Sequence, residues 1–174
     1  MKIAVTGHSR GVGKAIVDLL IDEGHEILGL SRGCGYDIKD TNLIAEAVEP
    51  NDVFINNAHD GFHQVLLLDA IYRLWKDRPN LIINISSNAP DYWPAWNNGY
   101  STEKAALDSA ALRLGMSSNL CRVTNVRPGY IDTRRVAGVK DVPKLNPSEV
   151  AKIVSFIINL PREVTIRELT VEPR

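Results

Sequence analysis

Short apolar runs alternate with amphipathic stretches along the whole chain. Residues 3–5, 26–30, 52–56, 81–86, 122–126 and 165–171 read as strands. Between the first two, residues 13–23 place Ile16, Val17, Leu19, Leu20 and Ile21 at helical spacing. Further helices are predicted over 43–48, 65–75, 102–116 and 147–160, the last with Pro147 in its first turn. Strands this apolar, separated by helices, are buried on both faces of a parallel sheet. The right-handed crossover rule then gives a doubly wound α/β fold of Rossmann type, with helices on both faces of a mostly parallel sheet. The 174 residues are expected to form one such domain from end to end. The second crossover looks shortened. Residues 33–40 are glycine-rich and too few for a full helix, so the next strand is expected only as a remnant near 36–38.

Composition narrows the function classes. With 44% hydrophobic and 24% charged residues and a formal net charge of −1, the chain is neither disordered nor a basic nucleic-acid binder. No run of about 18 apolar residues occurs, so no membrane span is expected. Cys34 and Cys121 lack metal-ligand spacing, which fits a reduced, cytoplasmic setting, with Cys121 as a core residue.

The first strand runs into Thr6-Gly7-His8-Ser9-Arg10-Gly11-Val12-Gly13, and a helix follows. Such a loop cradles a dinucleotide. Gly7 turns the chain out of the strand, Gly11 admits a pyrophosphate, and Gly13 lets helix and sheet approach. Ser9, Arg10 and Val12 complete the loop, and the helix N-terminus offers free N–H groups to the phosphates. The second strand ends in Ser31-Arg32 where an NAD enzyme usually carries an acid. Arg10 and Arg32 suit a 2′-phosphate, so NADP(H) is expected over NAD(H), unless both arginines are merely solvated. Asp37 is a candidate for the adenine end. Asn57 and Ala58, after the third apolar strand, are candidates for the cofactor's edge.

Tyr100 and Lys104 are spaced i, i+4 and share a helix face. A free tyrosine, with a pKa of about 10, is a poor acid or base near neutrality. A neighbouring ammonium favours the phenolate. Ser87, thirteen residues before Tyr100 at a strand end, could hold a carbonyl oxygen. Alone, the Tyr/Lys spacing equally fits a solvated helix face.

Taken together, Thr6-Gly-x-x-x-Gly-x-Gly13, Asn56-Asn57-Ala58, Ser87, Tyr100-x-x-x-Lys104 and Pro128-Gly129 stand in the order found in short-chain dehydrogenases/reductases. The chain resembles that family over nearly its whole length, as an unusually short member. The resemblance implies an NAD(P)-linked oxidoreductase acting on a small carbonyl or alcohol. It implies Tyr100 as general acid/base, Lys104 on the nicotinamide ribose and Ser87 on the substrate oxygen. It adds Pro128, Gly129, the Ile131 backbone and Thr133 at the nicotinamide, and Asp37 at the adenine. The alternatives are a non-catalytic NADP-binding redox sensor, or an epimerase or dehydratase on the same fold.

The chain departs from the family in several places. His59 stands where a glycine usually follows Asn-Asn-Ala, and no relay asparagine can be placed; His59, His63, Gln64 or water are the substitutes. His59 and His63 have the spacing of a metal pair but no evident third ligand, so no metal is expected. Tyr92, Trp93 and Trp96 could wall a substrate pocket or simply pack their loop. The substrate lid is reduced to 134–146. Ala105, Ala106, Ala110 and Ala111 would allow close helix approach in a homodimer or homotetramer.

Overall fold

The computed structural model describes residues 1–92, 99–117 and 119–174. The chain runs β1 (Lys2–Thr6), α1 (Gly11–Asp22), β2 (Glu26–Leu30), α2 (Thr41–Val48), β3 (Val53–Asn56) and α3 (His63–Trp75). It continues through β4 (Leu81–Ile85), α4 (Gly99–Gly115), β5 (Arg122–Pro128), α5 (Pro147–Ile158) and β6 (Glu168–Val171). Every strand pairing is parallel, and the sheet order is β2-β1-β3-β4-β5-β6. The winding direction therefore reverses between β1 and β3. In open α/β sheets a ligand crevice forms at that switch point, beyond the carboxyl ends of the strands.

Strand residues alternate between two cores, which explains the unbroken apolar runs. Ala4, Phe54, Ile82 and Val123 face α2, α3 and α4, where Leu67, Ile71, Trp75 and Leu107 are fully buried. Ile3, Val5, Ile55 and Ile83 face α1 and α5, against Ile16, Leu20, Val154 and Ile157. A capping box opens α5: Asn146 accepts from the Ser148 N–H, and Glu149 accepts from the Asn146 N–H at 2.6 Å. Cys121 is a core residue, and burial pushes its thiol up to about 12.

Three expectations change. The strand remnant near 36–38 is absent. Residues 32–34 form a single 3-10 turn, Gly35 turns left-handed at φ +85°, and the chain enters α2 directly. Ten residues separate Leu30 from Thr41, too few for a crossover and a further strand, so β2 is the sheet edge. Ile38 instead plugs the core. Secondly, α4 spans Gly99–Gly115 rather than 102–116, and Tyr100 lies in its first turn, on one helix with Lys104 as the i, i+4 spacing implies. Its opening Gly-Tyr-Ser-Thr lacks the apolar periodicity that marks a helix. Thirdly, Ala111 is buried in its own core and cannot serve an interface, while Ala105 stays exposed. Among the described residues no helix is long and apolar enough to cross a membrane.

Candidate active site

The glycine loop is held from behind. Gly7 adopts φ +69°, and its N–H donates to the Leu30 carbonyl at 2.8 Å. Thr6 Oγ1 accepts from the Asn57 and Ala58 N–H groups at 2.9 and 3.0 Å, and Asn57 Nδ2 donates to the Thr6 carbonyl at 2.9 Å. The Asn57 amide is thus spent on joining the ends of β1 and β3. A Cβ at Gly13 would lie 2.2 Å from the Gly7 carbonyl oxygen and 2.7 Å from Asn57 Nδ2. Gly13→Ala is therefore expected to push α1 off the sheet and destabilise the fold by about 1–3 kcal/mol. Urea unfolding checks it; an unchanged midpoint would mean the helix shifts freely.

No side chain caps α1. Its first N–H groups open onto a cleft of about 1120 Å³ at the switch point. Gly7, Ser9, Arg10, Gly11, Val12 and Gly13 line it from the loop. Ser31, Arg32 and Asp37 line it beyond β2, Asn57 and Ala58 beyond β3, and Thr133 beyond β5. Asp37 also accepts from the Lys39 N–H at 3.0 Å. Arg10 and Arg32 are exposed and pair with no carboxylate among the described residues. His8 lines the cleft with a buried, unpartnered Nδ1. An uncapped helix start, a loop with glycine at positions 7, 11 and 13 and two unpaired arginines fit a phosphorylated dinucleotide.

Pro128, Gly129 and Ile131 lie off this cleft. The Pro128 carbonyl accepts from the Asn88 N–H at 3.0 Å, and the Gly129 N–H donates to Val171 at 2.8 Å. Ile131 bridges to Leu145. This turn thus joins β5 to the segment after Ser87 and to β6.

Lys104 is 3% exposed. Its ammonium sits 5.7 Å from the Tyr100 ring centroid and donates to Gln64 Oε1 at 2.6 Å and to the Ile85 carbonyl at 2.9 Å. Gln64 is itself fixed: its Nε2 donates to the Asn56 carbonyl at 2.7 Å, and Asn56 Nδ2 donates to the Gln64 carbonyl at 2.9 Å. Of the substitutes considered for the missing asparagine, Gln64 is the one that reaches Lys104. Burial, followed by the positive charge of Arg135, lowers the Lys104 ammonium to about 7. An ammonium has three N–H donors and two are used here, leaving one.

Ser87 follows β4, is 8% exposed, and accepts from the Ala89 N–H at 3.1 Å. Ser86 turns the other way, onto Asp108 of α4. Asp108 also accepts from Arg127 Nε at 3.0 Å, and Arg127 further holds Asp91 and Glu168. The segment after Ser87 is thereby pinned to β5. Tyr92 is exposed and donates to Glu172 at 2.7 Å; Trp93 and Trp96 lie outside the described residues.

His59 and His63 do not form a metal pair. His63 Nδ1 engages the Asp60 carbonyl at 2.8 Å, and His59 precedes the helix that His63 begins. Among the described residues no three potential metal ligands gather. His59 instead meets Tyr100 edge-on at 5.0 Å, and Arg135 lies over the same ring at 4.7 Å. Arg135 Nη2 donates to His59 Nδ1 at 3.2 Å. His59 Nε2 lies 2.8 Å from Glu103, close but off the line of a hydrogen bond. Burial, then the charges of Lys104 and Arg135, lower His59 to about 4. In the sequence Arg135 reads only as part of a shortened segment, residues 134–146.

No family model matches the chain. A Haemophilus influenzae protein described as a probable NADP-dependent dehydrogenase is 28% identical over 233 aligned positions, covering 97% of this chain and 92% of that one. Since the chain has only 174 residues, its missing length is taken up internally. A short-chain dehydrogenase from Burkholderia cenocepacia, solved with NADP, superposes at a TM-score of 0.77 with 22% identity, covering 97% and 86% of the two chains. A 3-alpha-hydroxysteroid dehydrogenase from Pseudomonas sp. B-0831, solved with NADH, gives a TM-score of 0.82 with 18% identity, covering 99% and 95%. The glycine loop, Asn56-Asn57-Ala58, Ser87, Tyr100/Lys104 and Pro128-Gly129 stand in order on that fold. The chain thus shares the fold of these dehydrogenases and is similar over nearly its whole length to a probable NADP-dependent dehydrogenase.

Proposed function

We propose that the protein is an NADP(H)-dependent oxidoreductase that interconverts a small carbonyl compound and its alcohol. The observation that carries this reading is Lys104, a buried ammonium fixed by Gln64 and Ile85 one helical turn beyond Tyr100. Burying a lysine is costly, and a structural role would not call for an ammonium beside a tyrosine at the cleft side of the sheet. The nicotinamide supplies the hydride when bound. In the reducing direction the Tyr100 hydroxyl gives its proton to the oxygen of the carbonyl as the C–H bond forms, and solvent later restores that proton. Ser87 orients the same oxygen. Lys104 offers its remaining N–H to the nicotinamide ribose, and its charge stabilises the tyrosinate left when the proton is given up. Gln64 is a positioning residue, acting through Lys104.

The preference for NADP(H) rests on Arg10 and Arg32, unpaired at the cleft, and on Ser31 in place of an acid. The double variant Arg10→Ala/Arg32→Ala is expected to weaken NADPH about a hundredfold and NADH only slightly. Equal weakening of both cofactors in a fluorescence titration would remove the clamp. The function itself is tested by NADPH oxidation against a panel of small ketones and aldehydes. Tight NADPH binding with no turnover of any of them would instead favour a redox sensor. Exposed Leu66 and Leu74 on α3 and Leu112 on α4, with Met116 just after it, support a homodimer or homotetramer through these helices.

A further inference from the structure

We propose that Arg135 anchors a substrate carboxylate, so that the substrates are small oxo acids and the corresponding hydroxy acids. The inference rests on the oxidoreductase reading for its reacting group, and on Arg135 alone for the acid.

Arg135 is exposed, yet it is held in place. Its guanidinium lies 4.7 Å from the Tyr100 ring centroid, a cation–π distance, and it donates one N–H to His59. A guanidinium has five N–H donors, so most remain open. No carboxylate pairs with Arg135 among the described residues. Glu103 lies against the far nitrogen of His59. His59 meets the same tyrosine ring, so the arginine's partner there is an imidazole rather than an anion.

Among the described residues, no other cation of the site lies against the Tyr100 ring except the buried Lys104. Lys104 is buried on Gln64 and Ile85. Arg10, Arg32, Arg134 and Arg135 all line the dinucleotide cleft, but Arg10 stands at the open N-terminus of α1 and Arg32 just after β2, where phosphate is favoured. Arg135 is the guanidinium that stacks on the proton-donating ring. A carbonyl oxygen must reach the hydroxyl of that ring. A carboxylate one or two carbons from the carbonyl then comes within reach of a guanidinium lying on the ring's face. The pairing would be bidentate and partly shielded from water. Arg135 sits in the short 3-10 turn Arg134–Val136 that follows Thr133.

The test compares acetoacetate with methyl acetoacetate, a neutral ester with the same ketone. In the wild type, kcat/KM for the acid should exceed that for the ester by about a hundredfold. In Arg135→Leu that ratio should fall towards one, and Arg135→Lys should recover part of it. A wild-type ratio at or below one overturns the proposal. So does an equal loss on acid and ester that follows a weaker NADPH Kd, which would make Arg135 a cofactor clamp. A second arm needs no turnover: malonate binding to the NADP+-saturated protein, measured by calorimetry. Binding to the wild type that is lost in Arg135→Leu supports the anchor even if no carbonyl is reduced, in which case the oxidoreductase reading fails separately. Equal malonate binding by both proteins, or none by the wild type, overturns the anchor.

Discussion

Replacing Tyr100 with phenylalanine is expected to slow carbonyl reduction by about 10²–10⁴-fold, the usual contribution of a positioned general acid. The substitution isolates one oxygen. The ring's edge contact with His59 and its stack with Arg135 involve carbon faces that phenylalanine keeps. Lys104 stays on Gln64 and Ile85, since neither bond involves the tyrosine hydroxyl. The fold and the cofactor cleft should therefore survive, and the loss should fall on kcat. The measurement is single-turnover NADPH oxidation with NADPH Kd determined separately. Unchanged turnover would show that the proton comes from elsewhere and would remove Tyr100 from its role.

Much of this architecture is legible in the sequence because β1, β3 and β4 are buried on both faces. Val53-Phe54-Ile55 and Leu81-Ile82-Ile83 send alternate residues into two cores, so their apolar runs are unbroken. Gly13 is legible for a different reason: only a residue without Cβ fits against the Gly7 carbonyl. What the sequence hides is contact between distant residues. Gln64 and Lys104 are forty residues apart, and nothing in the pattern around Gln64 shows that its side chain turns inward at the start of α3. Arg135 reads as one more charge in a polar loop until the fold lays it on Tyr100. Arg127 reads as a charge near the end of a strand, yet it ties Asp91, Asp108 and Glu168 together behind Ser86. The start of α4 is hidden because its first turn, Gly99-Tyr100-Ser101-Thr102, carries no apolar face.

Lys104 carries the second large effect, and pH separates its two roles. Burial, with Arg135 adding to it, lowers the ammonium from an unfolded value of 10.5 to about 7. Below pH 7 both folded and unfolded chains hold the proton, and the fold bears the full cost of burying the charge. Between about 7 and 10.5 the unfolded chain still binds a proton that the cofactor-free fold has released, so stability rises with pH. Lys104→Met removes this dependence. From pH 7 to pH 9 the wild type should therefore gain on the variant by about 1 kcal/mol per pH unit, measured by urea unfolding without cofactor. Cofactor affinity should run the opposite way. If the ammonium is the form that holds the ribose, binding above pH 7 must take up a proton, and wild-type NADPH Kd should weaken by up to about tenfold per unit. In Lys104→Met the Kd should be weaker at pH 7, nearly flat with pH, and accompanied by a kcat lowered about 10²-fold or more. Parallel stability curves for the two proteins would show that Lys104 keeps its ordinary basicity when buried. A flat wild-type Kd would show that the cofactor binds without the ammonium, and the reason for keeping a lysine in this core would have to be structural.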